Sequence, residues 1–285
     1  MKKKIMLCLL VTLLFLITAI GYKNYYSELS NSKNKSIQLN SEFKDKLEND
    51  RLNNFGVLTS DIEAFPKGLV TFVDDDGFKG VWDKLLPLFQ SKQVPCVIAM
   101  PTNYLNLTDH LSSENLIYLQ DIGWEIASHG VNHLHLADLN EDEIDFELKE
   151  SKDTLTNIGL DCNSIVYPFG SVNEKVTNIS KKYYNSGITV SLGLNKVPLN
   201  RYLIYRVPLG SYFAPDNNSN ELEYYKDQLD LAKKSNSWII FMMHINETDD
   251  AQISYLSEVI DYCKKINMPI VTLKEGFDEA DKFLN

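Results

Sequence analysis

Between residues 68 and 273 the chain repeats one alternation, a short apolar run followed by a polar stretch. The runs are GLVTFV (68–73), VPCVIAM (94–100), WEIAS (124–128), SIVY (164–167), GITVSL (187–192), YLIYRV (202–207), WIIFMM (238–243) and MPIVTL (268–273). Strands that are apolar throughout are buried on both faces, and parallel strands require crossover helices. Helical patterns fill many of the gaps. Ile144, Leu148, Leu155 and Ile158 fall on one face of a segment opened by Asn140. Its acids Glu141, Asp142, Glu143, Asp145, Glu147 and Glu150 read as a solvated face. Segments 221–234 and 250–265 are similarly amphipathic. About eight strands alternating with helices predict an α/β class and a distorted (β/α) barrel rather than an open sheet.

The chain begins differently. Lys2–Lys4 precede an uncharged apolar run from Ile5 to Ile20, which ends at Ala19-Ile20-Gly21. Basic residues followed by such a run mark either a cleaved signal peptide or a membrane anchor, with the remainder exported. Residues 1–21 are read as that leader, 22–56 as a polar tether and 57–285 as the folded domain. Cys96, Cys162 and Cys263 follow the leader. An odd count in an exported chain excludes full internal pairing, so they read as buried thiols. The net charge of −11 and the lack of a basic stripe exclude nucleic acid as a partner.

In a (β/α) barrel, functional residues gather where strands run into the following loops. After TFV come Asp74, Asp75, Asp76 and Gly77. After WEIAS come His129 and His133. Pro168, Phe169 and Gly170 follow SIVY, and His244 ends WIIFMM. Three adjacent acids at the end of a buried strand require something to neutralise them. His129 and His133 are four apart, a spacing that puts both imidazoles on one face of a helical turn. Two imidazoles and a carboxylate form a divalent-metal site with open positions for water and substrate.

These motifs, in this order, resemble those of the polysaccharide deacetylase family (carbohydrate esterase family 4). The resemblance spans roughly residues 66–275. It implies hydrolysis of N-acetyl groups on an N-acetylhexosamine polymer of the cell envelope, with release of acetate. The family's first motif, Thr-Phe-Asp-Asp-Gly, is one residue shorter than TFVDDDG. Anchored on Gly77, the resemblance makes Asp75 the general base and Asp76 the metal ligand. Anchored on the strand, it makes them Asp74 and Asp75. The first alignment is preferred because Gly77 permits a tight turn, and Asp74 is then expected to be a turn carboxylate bonding backbone N–H groups.

The same resemblance makes His129 and His133 metal ligands, with Gly130 in place of a serine or threonine. His135 is taken as structural. The Phe169 backbone N–H becomes an oxyanion donor and His244 the general acid. The family's base-orienting arginine is replaced by Val166, and Arg206, ahead of Arg201, is the candidate to take its role. Zn2+ is the default metal, with Co2+, Ni2+ or Mn2+ as alternatives. The implied partners are an acetylated polysaccharide or oligosaccharide and, if the leader is uncleaved, the membrane. O-deacetylation and a non-catalytic carbohydrate-binding role on the same fold stay open, because the family's fourth motif is not visible. Tyr104, Tyr212 and Phe213 are candidates for lining a sugar groove.

Overall fold

A computed structural model describes residues 65–210 and 221–283 of the protein. The proposed leader, the tether, residues 57–64 of the expected domain, Tyr212 and Phe213 lie outside the described residues. Among the described residues no helix is long and apolar enough to cross a membrane.

Seven strands close into a parallel barrel in sequence order: β1 (Leu69–Asp75), β2 (Val97–Met100), β3 (Glu125–Ser128), β4 (Ser164–Val166), β5 (Ser186–Leu192), β6 (Ile204–Pro208) and β7 (Trp238–Met243). β7 pairs with β1 over Leu69–Asp74 and completes the ring. Helices α1 (Leu86–Lys92), α2 (Ser113–Asp121), α3 (Glu141–Asn157), α4 (Glu174–Ser180), α5 (Glu221–Lys234), α6 (Asp250–Lys265) and α7 (Leu273–Asp281) accompany the strands.

The expected eighth strand, residues 268–273, is not one. Ile270 forms a lone bridge with Val70, and Thr272 already caps α7 through the Glu275 N–H. The reason is geometric. β2 pairs with β1 only from Val73 onward, so the lower edge of β1 is left bare. The 269–271 segment covers that edge: Val70 N donates to Pro269 O at 2.9 Å and Val271 N to Val70 O at 2.9 Å. It serves as a patch on the ring and then turns into a helix.

Strand alternation sorts the apolar residues into two layers. Val73, Val97, Ala99, Ala127, Val166, Ile188, Ile204, Trp238 and Ile240 fill the barrel. Val70, Phe72, Ile98, Met100, Ile126, Ile165, Val207, Ile239, Phe241 and Met243 pack under the helices. The thiols Cys96, Cys162 and Cys263 are buried and unpaired, as read from the sequence. Trp124 and Trp238 are core residues, and Trp82 lies against Tyr118 at a centroid distance of 5.3 Å.

The bottom of the barrel holds a polar plug. Glu125 accepts from Ser164 Oγ at 3.2 Å and from the Lys274 N–H at 2.7 Å, and Ser186 Oγ donates to Ser164 Oγ at 2.9 Å. Burial pushes the Glu125 carboxyl up to about 7 from 4.5, against those hydrogen bonds. The folded state therefore retains this proton between the two values. Its stabilising effect is complete below pH 4.5 and lost as the pH rises through about 7. Glu125→Gln, which stays neutral, is expected to outlast wild type in urea above pH 7 by on the order of 2 kcal/mol, with the gap closing near pH 5. Parallel urea midpoints across that range would contradict this placement of the proton.

Candidate active site

The alternation that builds the core also selects which side chains reach the barrel mouth. Val73 points into the barrel, so Asp75 does too, whereas Asp74 follows Val70 and Phe72 to the outer layer. By the same parity, His129 continues Ala127, Arg206 continues Ile204, and His244 continues Trp238 and Ile240. Four chemically active residues from four strands thus converge on one opening.

The three acids are handled in three different ways. Asp74 lies in β1, not in a turn as expected from the sequence. It is fully buried, and its Oδ2 accepts the Ile245 N–H at 2.8 Å. Burial and then the charge of Asp75 hold its carboxyl well above the usual range. Burial also pushes Asp75 up, but the Arg206 guanidinium, with His129 and His244, outweighs it and leaves the group below its ordinary value. Arg206 Nη1 donates to Asp75 Oδ1 at 2.8 Å, and its Nε donates to Thr189 O at 2.7 Å. Arg201 instead pairs with Asp281 at 2.6 Å, away from the acids. His244 Nε2 stands 3.9 Å from Asp75 Oδ2. Burial raises Asp76, while the His133 hydrogen bond and the neighbouring imidazoles lower it to about 2.

Asp76 turns out of the strand at φ +74°, followed by Gly77 at φ +65°. A Cβ on Gly77 would come within 2.2 Å of Met100 Sδ, and its positive φ also favours glycine at this turn. The turn carries Asp76 Oδ1 to 3.6 Å from His129 Nε2 and 3.2 Å from His133 Nε2. One ligand atom from each of these residues lies within 4.8 Å of the others. His129 Nδ1 is 2.6 Å from Val166 O, and a carbonyl only accepts, so Nδ1 carries the proton. Burial holds this imidazole neutral, lowering it to about 4, which leaves Nε2 a bare acceptor facing a carboxylate. That donor set fits a divalent cation.

The two histidines do not share a helical turn. Residues 129–133 form a loop after β3, and its shape comes from Gly130 at φ +75° and His133 at φ +54°. Glu147 is likewise not on the solvated face. It is 2% exposed and accepts the Val131 N–H at 2.8 Å, the Asn132 N–H at 2.9 Å and the Asn132 side-chain amide. Its spacing of three from Ile144 and four to Ser151 puts it on the buried face of α3, which the periodicity already implied. The Gly130 substitution follows from this arrangement, because a Cβ there would lie 3.2 Å from Glu147 Oε2. Gly130→Ser restores the family's residue type but is expected to lower stability by about 1–2 kcal/mol, read as a denaturant midpoint. An unchanged midpoint would mean that the loop has room for a side chain.

Phe169 also adopts a left-handed conformation, at φ +57°, with its ring 47% exposed at the rim. It stacks on His135 at 4.0 Å and leans on His133 at 4.4 Å. His135 therefore supports the rim and stands apart from the Asp76–His129–His133 set. Tyr104 lies 6.2 Å from the His133 ring. Asp76, His133 and Phe169 are three non-glycine residues with left-handed backbones at one site, a concentration of strain found at functional centres.

Residues 63–187 match the family model described as polysaccharide deacetylase. A putative polysaccharide deacetylase of Bacillus subtilis, YxkH, is 27% identical over 141 residues, spanning 49% of this chain and 50% of that protein. The chain thus spans about half the length of this curated relative. Among solved structures, the Xyl-CE4 domain of a multidomain xylanase from the hindgut metagenome of Trinervitermes trinervoides superposes with a TM-score of 0.51 at 16% identity, covering 75% of this chain and 91% of that one. A family 4 carbohydrate esterase from Streptomyces lividans, solved with acetate, gives a TM-score of 0.50 at 14% identity, covering 72% and 91%. At these identities the two structures share the fold.

Proposed function

We propose that this chain is a member of the polysaccharide deacetylase family, whose model residues 63–187 match, and that it hydrolyses acetyl groups from an acetylated polysaccharide in a metal-dependent reaction. The substrate we assign is an N-acetylhexosamine polymer of the cell envelope, with acetate and a free amine as products. The observation that carries this reading is the Asp76–His129–His133 cluster beside the inward-facing Asp75–Arg206 pair. Its exported location is supported by Lys2–Lys4 and the apolar run that follows.

In this reading Asp76, His129 and His133 hold the metal, with Zn2+ as the default occupant. When bound, such an ion supplies Lewis-acid polarisation of a carbonyl and acidifies water at neutral pH. Asp75 accepts the proton of the attacking water at the carboxylate that Arg206 fixes from one side. The Phe169 backbone N–H donates to the oxygen on which negative charge develops. His244, 3.9 Å from Asp75 Oδ2, delivers a proton to the departing nitrogen. Phe169 and His135, stacked on each other, form one wall of the approach.

The test is acetate release by the full-length protein, stripped with chelator and reloaded with metal. Acetylated chito-oligosaccharides form one arm and an O-acetylated polymer the other. Metal-dependent acetate from the first arm is expected. Release only from the second arm would reassign the bond cleaved. Stoichiometric metal with no acetate from any acetylated polymer would leave a carbohydrate-binding protein on this fold.

A further inference from the structure

The geometry points to Glu147 as a positioning residue: from α3, its buried carboxylate holds the backbone between His129 and His133 and so sets the distance between the two imidazoles. This inference rests on the reading of Asp76, His129 and His133 as metal ligands.

The loop between the histidines is gripped on both of its polar edges. Three successive N–H groups are taken by side chains. Gly130 N donates to Ser128 Oγ at 3.2 Å, and Val131 N and Asn132 N donate to Glu147 Oε2 at 2.8 and 2.9 Å. Ser128 Oγ is in turn 2.7 Å from Ser151 Oγ, one helical turn beyond Glu147. The carbonyls face the other way: Gly130 O accepts from Thr102 N at 3.0 Å and Val131 O from Asn103 N at 3.0 Å. His129 itself is pinned by its N–H to Met100 O at 3.0 Å and by Nδ1 to Val166 O. His133 has no comparable backbone anchor among these bonds. Its place follows from the three residues before it, and Glu147 binds two of them directly.

A carboxylate suits this task better than an amide or hydroxyl. It offers two acceptor oxygens and no donor, and here it meets only N–H groups. It also works at a backbone of unusual shape, because Gly130 and His133 both have positive φ. Without a partner for Val131 N and Asn132 N, one buried and one part-buried donor are orphaned and the loop gains a reason to relax. The expected result is a displaced His133 and a widened ligand triangle.

The test uses full-length protein loaded with Co2+. The visible d–d band reports ligand geometry, and competition with a chromophoric chelator gives affinity. Glu147→Ala is expected to weaken binding about 10- to 100-fold, the range found when groups that orient ligands are removed, with a shifted band. Glu147→Gln keeps one acceptor oxygen and is expected to fall between, about 3- to 10-fold weaker. Leu155→Ala, two turns further along α3, removes core packing without touching the loop. It is expected to lower thermal stability while leaving the band and affinity at wild-type values.

Wild-type affinity and spectrum in both Glu147 variants would overturn the inference while leaving the metal site standing. So would an equal loss in Leu155→Ala, which would trace the effect to general stability. Should Glu147→Ala fail to fold, Glu147→Gln decides: wild-type behaviour overturns the inference and a weakened, shifted site supports it. No metal bound by wild type would remove the ligand reading itself, and this inference with it.

Discussion

Asp75→Asn is expected to keep one metal ion per chain while acetate release falls by about two to four orders of magnitude, the span attributed to a positioned general base. Asparagine matches the shape of aspartate, and its amide oxygen can still accept from Arg206 Nη1, now 2.8 Å from Oδ1. It cannot take a proton. Asp75 lies outside the Asp76–His129–His133 cluster, so metal content should not change. The same experiment decides between the two alignments of TFVDDDG. If Asp75 were the ligand and Asp74 the base, Asp75→Asn would lose the metal and Asp74→Asn would lose turnover. With the assignment proposed here, Asp74→Asn keeps both, because Asp74 points away from the barrel mouth, and an asparagine side-chain oxygen can still accept the Ile245 N–H. Atomic absorption on dialysed protein and an acetate assay on both variants give the answer together.

The sequence carried much of this architecture because the barrel writes itself as buried strands between amphipathic helices. The apolar runs located all seven strands, and the strand-end rule brought out Asp75, His129, Phe169 and His244 without coordinates. Two failures have physical causes. MPIVTL has the composition of a strand, but its chance to pair depended on how far down β1 the second strand begins, which is a register no single segment encodes. Glu147 was read as solvated because charge outweighed position. Its phase with Ile144 and Ser151 placed it on the buried face, and only the donors of a distant loop could make a buried carboxylate tolerable. The Asp74/Asp75 ambiguity had a signal that was present and unused. A period of two starting from Val73 sends Asp75 inward. The same parity supports the preference for Arg206, since it shares the phase of Ile204.

Arg206→Met is expected to destabilise the metal-free protein by about 3–5 kcal/mol near neutral pH, the cost of removing one partner from a buried ion pair. Arg206 is 1% exposed and Asp75 2%, so neither can turn to water. The pH dependence distinguishes this loss from simple loss of packing. In wild type, Asp75 has a folded value below its unfolded 3.8, so its contribution is held above that pH and lost only as the pH falls through the depressed value. Without the guanidinium, burial is the largest influence left, and it acts upward. The carboxyl of the variant is then pushed upward relative to wild type, and acidification, by protonating it, relieves the buried charge. The gap between wild type and variant should therefore narrow as the pH is lowered from neutrality in urea titrations. Adding Asp75→Asn to Arg206→Met removes that charge and should recover part of the loss even at neutral pH. A gap independent of pH, with no recovery in the double variant, would mean that Arg206 contributes by volume alone. The base would then owe its orientation to His244 and the strand.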